Sequence, residues 1–299
     1  GHGVLLKLAP SNCVRNATKK CTIFVIRGVR IQIMSALEIN YWVLGITCFM
    51  TWFLSIPTKD TSWVDRIWSV VPIVYAWVFA GGGGFADTRL NVMAVLITLW
   101  GARLTFNFAR KGGYRPGGED YRWEVLRAKM KPWQYQIFNI FFIVIAQNVL
   151  IFAITLPMND LIGLKTPFGL GDALFAALFL GLLTLETVAD QQQWNFYKHR
   201  AAEQAAGRKV VPGFLDKGLF SISRHPNFFA EQSQWWVILL FSVMHVGLGA
   251  SSWYGAVFLT ALFIGSTRFT EQISLSKYPE YADYQKRVSI LIPWFPKEK

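Results

Sequence analysis

Residues 136–157, QIFNIFFIVIAQNVLIFAITLP, decide the fold. They run for 22 residues without a charge. As a helix they would reach about 33 Å, enough to cross an apolar bilayer core of about 30 Å. In that environment every backbone N–H and C=O must be satisfied within the segment, so a helix is required. The whole 299-residue chain has the same character. Hydrophobic residues make up 53% and charged residues only 16%, against about 25% charged in soluble domains. The 13 Trp and 24 Phe agree. A soluble enzyme and a disordered chain are both excluded.

Working outward, six more apolar runs appear, near 41–57, 67–82, 91–107, 168–189, 228–249 and 252–266. The expected fold is all-α, a polytopic membrane bundle of about seven transmembrane helices. Lys and Arg concentrate in 108–135, 191–226 and the C-terminal segment, while the intervening loops 158–167 and 250–251 hold one Lys between them. That alternation sets the basic segments on one side, the cytoplasmic one. The membrane would be the endoplasmic reticulum in a eukaryote and the inner membrane in a bacterium. The net charge of +12 is therefore read as membrane orientation, not nucleic-acid binding.

Residues 1–33 stand apart, with six Lys and Arg and no acid. We read them as a basic leader or upstream extension outside the fold, before a single domain over 34–299 that starts at Met34-Ser35-Ala36-Leu37-Glu38. Asn16-Ala17-Thr18 fits a glycosylation acceptor. The three Cys and four His show no metal-ligand spacing, so no metal is expected. The four glycines 81–84 lack the GxGxxG pattern, and there is no Walker A loop.

Ionisable residues inside spans are costly and mark function. Here they form three i, i+4 pairs at one membrane edge: Arg103 with Asn107, Glu186 with Asp190, and Asn227 with Glu231. The nearby loop Lys111-Gly112-Gly113-Tyr114-Arg115-Pro116-Gly117-Gly118 is basic and glycine-rich. Such a loop lets backbone N–H groups approach an anion, making Lys111 and Arg115 candidate phosphate ligands. Pro226 suits the first turn of a helix. Arg224 and His225, just before that helix, are further candidates for anion binding. Glu231, one turn into the membrane, is the candidate proton donor.

The stretch 218–231, GLFSISRHPNFFAE, resembles the signature of the steroid 5-alpha-reductase superfamily. Arg268, Glu271, Lys277-Tyr278, Tyr281, Tyr284 and Leu291-Ile292-Pro293 resemble its closing segment. Trp63, Asp65-Arg66, Trp68, Pro72, Arg110 to Tyr114, Glu119 to Trp123 and Glu186 to Gln192 resemble its largely uncharacterised microbial branch. The resemblance covers about 60–296. It implies a seven-helix membrane reductase that uses NADPH to deliver hydride to a polarised double bond of an apolar lipid.

On this resemblance Glu231 is catalytic, and Asn227 meets the nicotinamide end. Asp190 lies near the adenosine part, while Arg268, Tyr281 and Tyr284 contact phosphate or ribose. Where steroid reductases carry a tyrosine on the third span, this chain has Trp100. Trp100 and Glu186 are the candidate substrate contacts. Two other classes remain open: an S-adenosylmethionine-dependent methyltransferase of the isoprenylcysteine type, which shares the Arg-His-Pro element, and a non-enzymatic lipid-binding or transport protein.

Overall fold

A computed structural model describes residues 23–26, 29–32, 34–247 and 252–297. The leader expected over 1–33 lies largely outside the described residues. Within it, β1 (Ile23–Ile26) and β2 (Val29–Gln32) pair as an antiparallel hairpin. The short loop expected at 250–251 is also outside them.

From residue 35 the chain is helical. α1 (Ala36–Thr58) starts at a capping box: Ser35 Oγ accepts from the Glu38 N–H at 3.2 Å, and the Ser35 N–H donates to Glu38 at 2.7 Å. The helices α2 (Trp63–Ile67), α3 (Val71–Gly82) and α4 (Thr88–Arg110) follow. Next come α5 (Tyr121–Ala128) and a long segment built from α6 (Pro132–Phe138), a π-helix (Asn139–Ala146) and α7 (Gln147–Ala153). α8 (Pro157–Asp160), α9 (Leu170–Ala205), α10 (Pro226–Val246), α11 (Trp253–Lys277) and α12 (Tyr281–Arg287) complete it.

Over their described residues, all seven apolar runs fall mainly on helices. Among the described residues, four helices are long and apolar enough to cross a membrane: Ala36–Thr58, Thr88–Arg110, Pro132–Asp160 and Leu170–Ala205. α3 is shorter than its run, because the turn at 68–70 takes the first residues. α9, at 36 residues, measures about 54 Å. Its polar half beyond Asp190 therefore outruns an apolar core of about 30 Å.

The decisive stretch is less regular than its composition suggests. Its middle is π-helical, and it carries amides where lipid would forbid them. These amides meet α1: Asn139 Nδ2 donates to Ser55 Oγ at 3.0 Å, and Asn148 Nδ2 to Thr51 Oγ1 at 3.2 Å. Interhelical hydrogen bonds of this kind hold apolar helices together. Close approach does the same elsewhere. A Cβ on Gly101 would lie 2.3 Å from the Ser69 carbonyl oxygen, and one on Gly255 2.4 Å from that of Ala153. Glycine thus seats α4 on the α2–α3 turn and α11 on the end of α7.

α4, α9 and α10 are pinned at both ends. At one end, fully buried Arg89 forks onto Asp172 at 2.7 and 3.1 Å, and His245 meets the same carboxylate at 2.9 Å. Along α9, Asp190 lies about 27 Å further on. There the second polar cluster begins.

Candidate functional site

The three i, i+4 pairs converge. Arg103 and Asn107 come from the end of α4, Glu186 and Asp190 from the middle of α9, and Asn227 from the first turn of α10. Arg103 donates to both Glu186 and Asp190, the latter at 2.5 Å. Asp190 also accepts from Asn107 at 2.7 Å and Asn227 at 3.2 Å. Gln234 closes the cluster on Glu186 at 2.7 Å. Glu186 and Asp190 are buried, and paired, hydrogen-bonded charge is what burial requires. At the rim, Lys111 Nζ lies 3.9 Å from Asp190 and 3.2 Å from Gln193 Oε1. Arg115 and Arg268 are exposed and have no side-chain hydrogen bond or ion pair among the described residues.

Glu231 differs from its neighbours. It is 8% exposed and makes no ion pair among the described residues. It lies on the wall of a cavity of 930 Å³, with the Trp68 indole N–H facing its carboxyl group. Most of that cavity is apolar, bounded by Phe138, Phe142, Leu150, Phe228, Leu262 and Phe263. Such a size and lining match a small-molecule site. Several lining side chains, among them Phe142, Val149 and Phe258, are also exposed on the outer surface. The space therefore opens sideways between the π-helix–α7 segment and α11.

The polar wall also holds Asp65, Ser69, Asp120, Arg122 and Ser266. Asp65 accepts from Trp123 Nε1 at 2.7 Å. Burial pushes the Asp65 carboxyl above its ordinary range, against the Trp123 bond. Asp120 caps α5 through the Arg122 N–H at 2.9 Å. Its carboxylate is gripped by the Arg122 guanidinium at 2.9 and 2.7 Å. Burial opposes ionisation there, but the Arg122 bonds and charge together hold Asp120 below its ordinary range. Sequence reasoning singled out Asp65, Trp68 and the 119–123 segment only as resembling a family signature, and did not place them at a site. Gln147, an amide in an uncharged run, also lines the cavity.

Six of the expected site residues have partners within the protein. Arg224 is not a free anion ligand. Its guanidinium forks onto Glu271 at 2.6 and 3.1 Å and donates to the Gln285 and Val288 carbonyls, the former at 2.8 Å. His225 meets the same Glu271 of α11 at 3.0 Å, and Arg224 ties that helix to the tail. Tyr281 and Tyr284 are buried beside Phe214 at ring distances of 4.9 and 5.3 Å. The Tyr284 hydroxyl donates to the Phe220 carbonyl. Burial pushes both phenols up, and they pack the tail. Trp100 is fully buried and does not line the cavity, because Trp235 covers its ring edge-on at 4.8 Å. Glu186 is taken up by Arg103 and Gln234, away from the cavity wall.

The fold and site define a helical membrane bundle with a buried ion cluster beside an apolar, acid-bearing cavity. The family described as "Protein of unknown function (DUF1295)" matches residues 51–288. The chain belongs to that family. It is similar to an uncharacterized protein of Schizosaccharomyces pombe, C594.04c, at 40% identity over 263 residues, 81% of this chain and 75% of the relative. No solved structure shows a significant match.

Proposed function

We propose that the protein is a multi-pass membrane reductase, NADPH-dependent and acting on a polarised double bond of an apolar lipid. The observation that carries this reading is Glu231, a carboxyl group without an ion-pair partner among the described residues, on the wall of a 930 Å³ apolar cavity. A double bond accepts hydride only when it is made electron-poor. Glu231 does this by hydrogen-bonding the conjugated oxygen and supplying a proton. Trp68 lines the same wall as the carboxyl group, and the surrounding rings exclude water.

The donor set fits a phosphate-bearing dinucleotide. Arg115 and Arg268 keep exposed positive charges on the basic side of the bundle, with Lys111 at the rim beside Asp190, whereas Arg224 is paired with Glu271. Asn227 stands one turn from Glu231 and keeps its amide oxygen for the nicotinamide end. Asp190, fixed by Arg103 and Asn107, orients Asn227. When bound, NADPH supplies the hydride. The resemblance of 218–231 to steroid 5-alpha-reductases supports the same assignment. The basic segments lie on the cytoplasmic side in this reading, and lipid arrives from the bilayer through the side opening.

The test is isotopic. The purified chain is given NADPH deuterated at the transferable position together with a panel of apolar enones. Deuterium in the reduced lipid, at the carbon β to the carbonyl, is the expected result. Oxidation of NADPH without deuterium in any lipid, or no oxidation with any enone, would remove the reading.

A further inference from the structure

The polar wall of the cavity says which kind of lipid fits. It carries three carboxyl groups, Asp65, Asp120 and Glu231, and one guanidinium, Arg122. That guanidinium is already occupied. Two of its nitrogens bind Asp120 in a fork at 2.9 and 2.7 Å, and the third donates to Ser266 Oγ at 2.6 Å. The wall therefore offers no free cation to receive a carboxylate or phosphate. An anionic head would instead face the Asp65 carboxyl group, and like charges in a poorly solvated site repel strongly. A hydroxyl or carbonyl meets no such penalty and finds hydrogen-bonding groups within the same wall.

We propose that Asp120 masks Arg122 and, with Asp65, makes the cavity selective for uncharged lipids bearing a hydroxyl or carbonyl, against anionic ones. Asp65 and Asp120 are then specificity-determining residues. The masking is specific in geometry: the fork on Asp120 uses the face of the guanidinium that a lipid carboxylate would use. Position supports it as well. Asp120 is the N-cap of α5, so its carboxyl group is held beside Arg122 by the helix start itself. This inference rests on the reading of the cavity as the substrate site, but its test needs no cofactor. Failure to bind NADPH would leave the lipid result standing, and the converse holds too.

The experiment is a binding series with the full chain in uncharged detergent at pH 8. The probes are 9,10-dibromostearyl alcohol and 9,10-dibromostearic acid, which quench Trp68 and Trp123 on the cavity wall. The alcohol should bind at least about tenfold tighter than the acid. Gly265→Phe fills the space beside a lining glycine whose Cβ direction is open, and it should abolish saturable quenching. Asp120→Asn keeps the α5 cap, since Asn caps as well as Asp, and unmasks Arg122. It should raise affinity for the acid about tenfold and leave the alcohol unchanged. Asp65→Asn, which still accepts from Trp123, should also raise affinity for the acid. Equal binding of acid and alcohol by the wild type would overturn the proposal. So would acid affinity unmoved in both Asn variants, or quenching that survives Gly265→Phe.

Discussion

The motif over 223–231 has two halves that point to different places. Ser223, Arg224 and His225 turn toward the tail. Ser223 Oγ donates to the Leu291 carbonyl at 2.7 Å, the Arg224 N–H to the Ser289 carbonyl at 2.8 Å, and the Arg224 side chain locks onto Glu271. Asn227 and Glu231, four and eight residues after Ser223, turn into the bundle. The first half is saturated with partners. The second half keeps an amide oxygen and a carboxyl group uncommitted. A short motif can thus combine an anchor with a reactive group, and only partner counting separates them. A buried charge with every bond made stabilises structure. A buried acid left without an ion pair beside an apolar cavity is available for chemistry.

The largest expected effect breaks the anchor. Arg224→Ala strips buried Glu271 of its guanidinium fork and leaves it with His225 and Gln285, a loss approaching about 3 kcal/mol. Thermal unfolding in detergent should show a steep fall in Tm. Arg224→Lys should fall nearly as far, because an ammonium cannot reproduce the fork. An unchanged Tm with lost cofactor binding would move Arg224 from the tail to the cofactor.

Next in size is the reactive half. Glu231→Gln should lower turnover by about 10²–10⁴-fold, the usual range for a positioned acid, while Tm holds or rises. A fall in Tm as large as that of Arg224→Ala would erase the distinction between the two halves. Asn227→Ala should weaken cofactor binding by about tenfold, on the order of 1.4 kcal/mol for a hydrogen bond to the ligand. Its lipid affinity should not change in the dibromo-lipid series.

The smallest effect concerns Asp65. Its carboxyl group is raised by burial, so the folded protein holds that proton after the unfolded chain has released it. Stability is then full below the ordinary range of about 3.9 and declines as pH rises through the raised value. Asp65→Asn lacks this decline. Its Tm should exceed wild type at pH 7 by about 2–4 °C, the scale of about 1 kcal/mol in a sizeable domain, and the gap should close toward pH 4. A constant gap across pH would assign the effect to packing.

Much of the bundle was legible because lipid leaves the chain few choices. Residues 136–157 had to be a helix, and Arg103, Glu186 and Asp190 had to find one another or stay exposed. Spacing alone revealed that cluster. Two features were hidden. Glu271 lies 46 residues after His225 in the chain, so no local pattern tells that it claims Arg224 and His225. Trp100 shares a helical face with Leu104 and Phe108, which line the cavity, and only Trp235 from another helix shuts it out. The cavity wall was hidden for the same reason. Asp65, Arg122 and Ser266 come from three distant segments, and nothing local marks them as neighbours.

The most direct test of the central claim is ligand stabilisation of the detergent-purified chain. NADPH and S-adenosylmethionine are titrated separately while Tm is followed. A ligand at about one hundred times its Kd stabilises by about 2.7 kcal/mol, which a thermal scan resolves. The account predicts a saturable rise in Tm with NADPH, reduced in Asn227→Ala, and none with S-adenosylmethionine. A rise with S-adenosylmethionine alone would contradict it in favour of a methyltransferase, and no rise with either would contradict it in favour of a lipid-binding or transport protein.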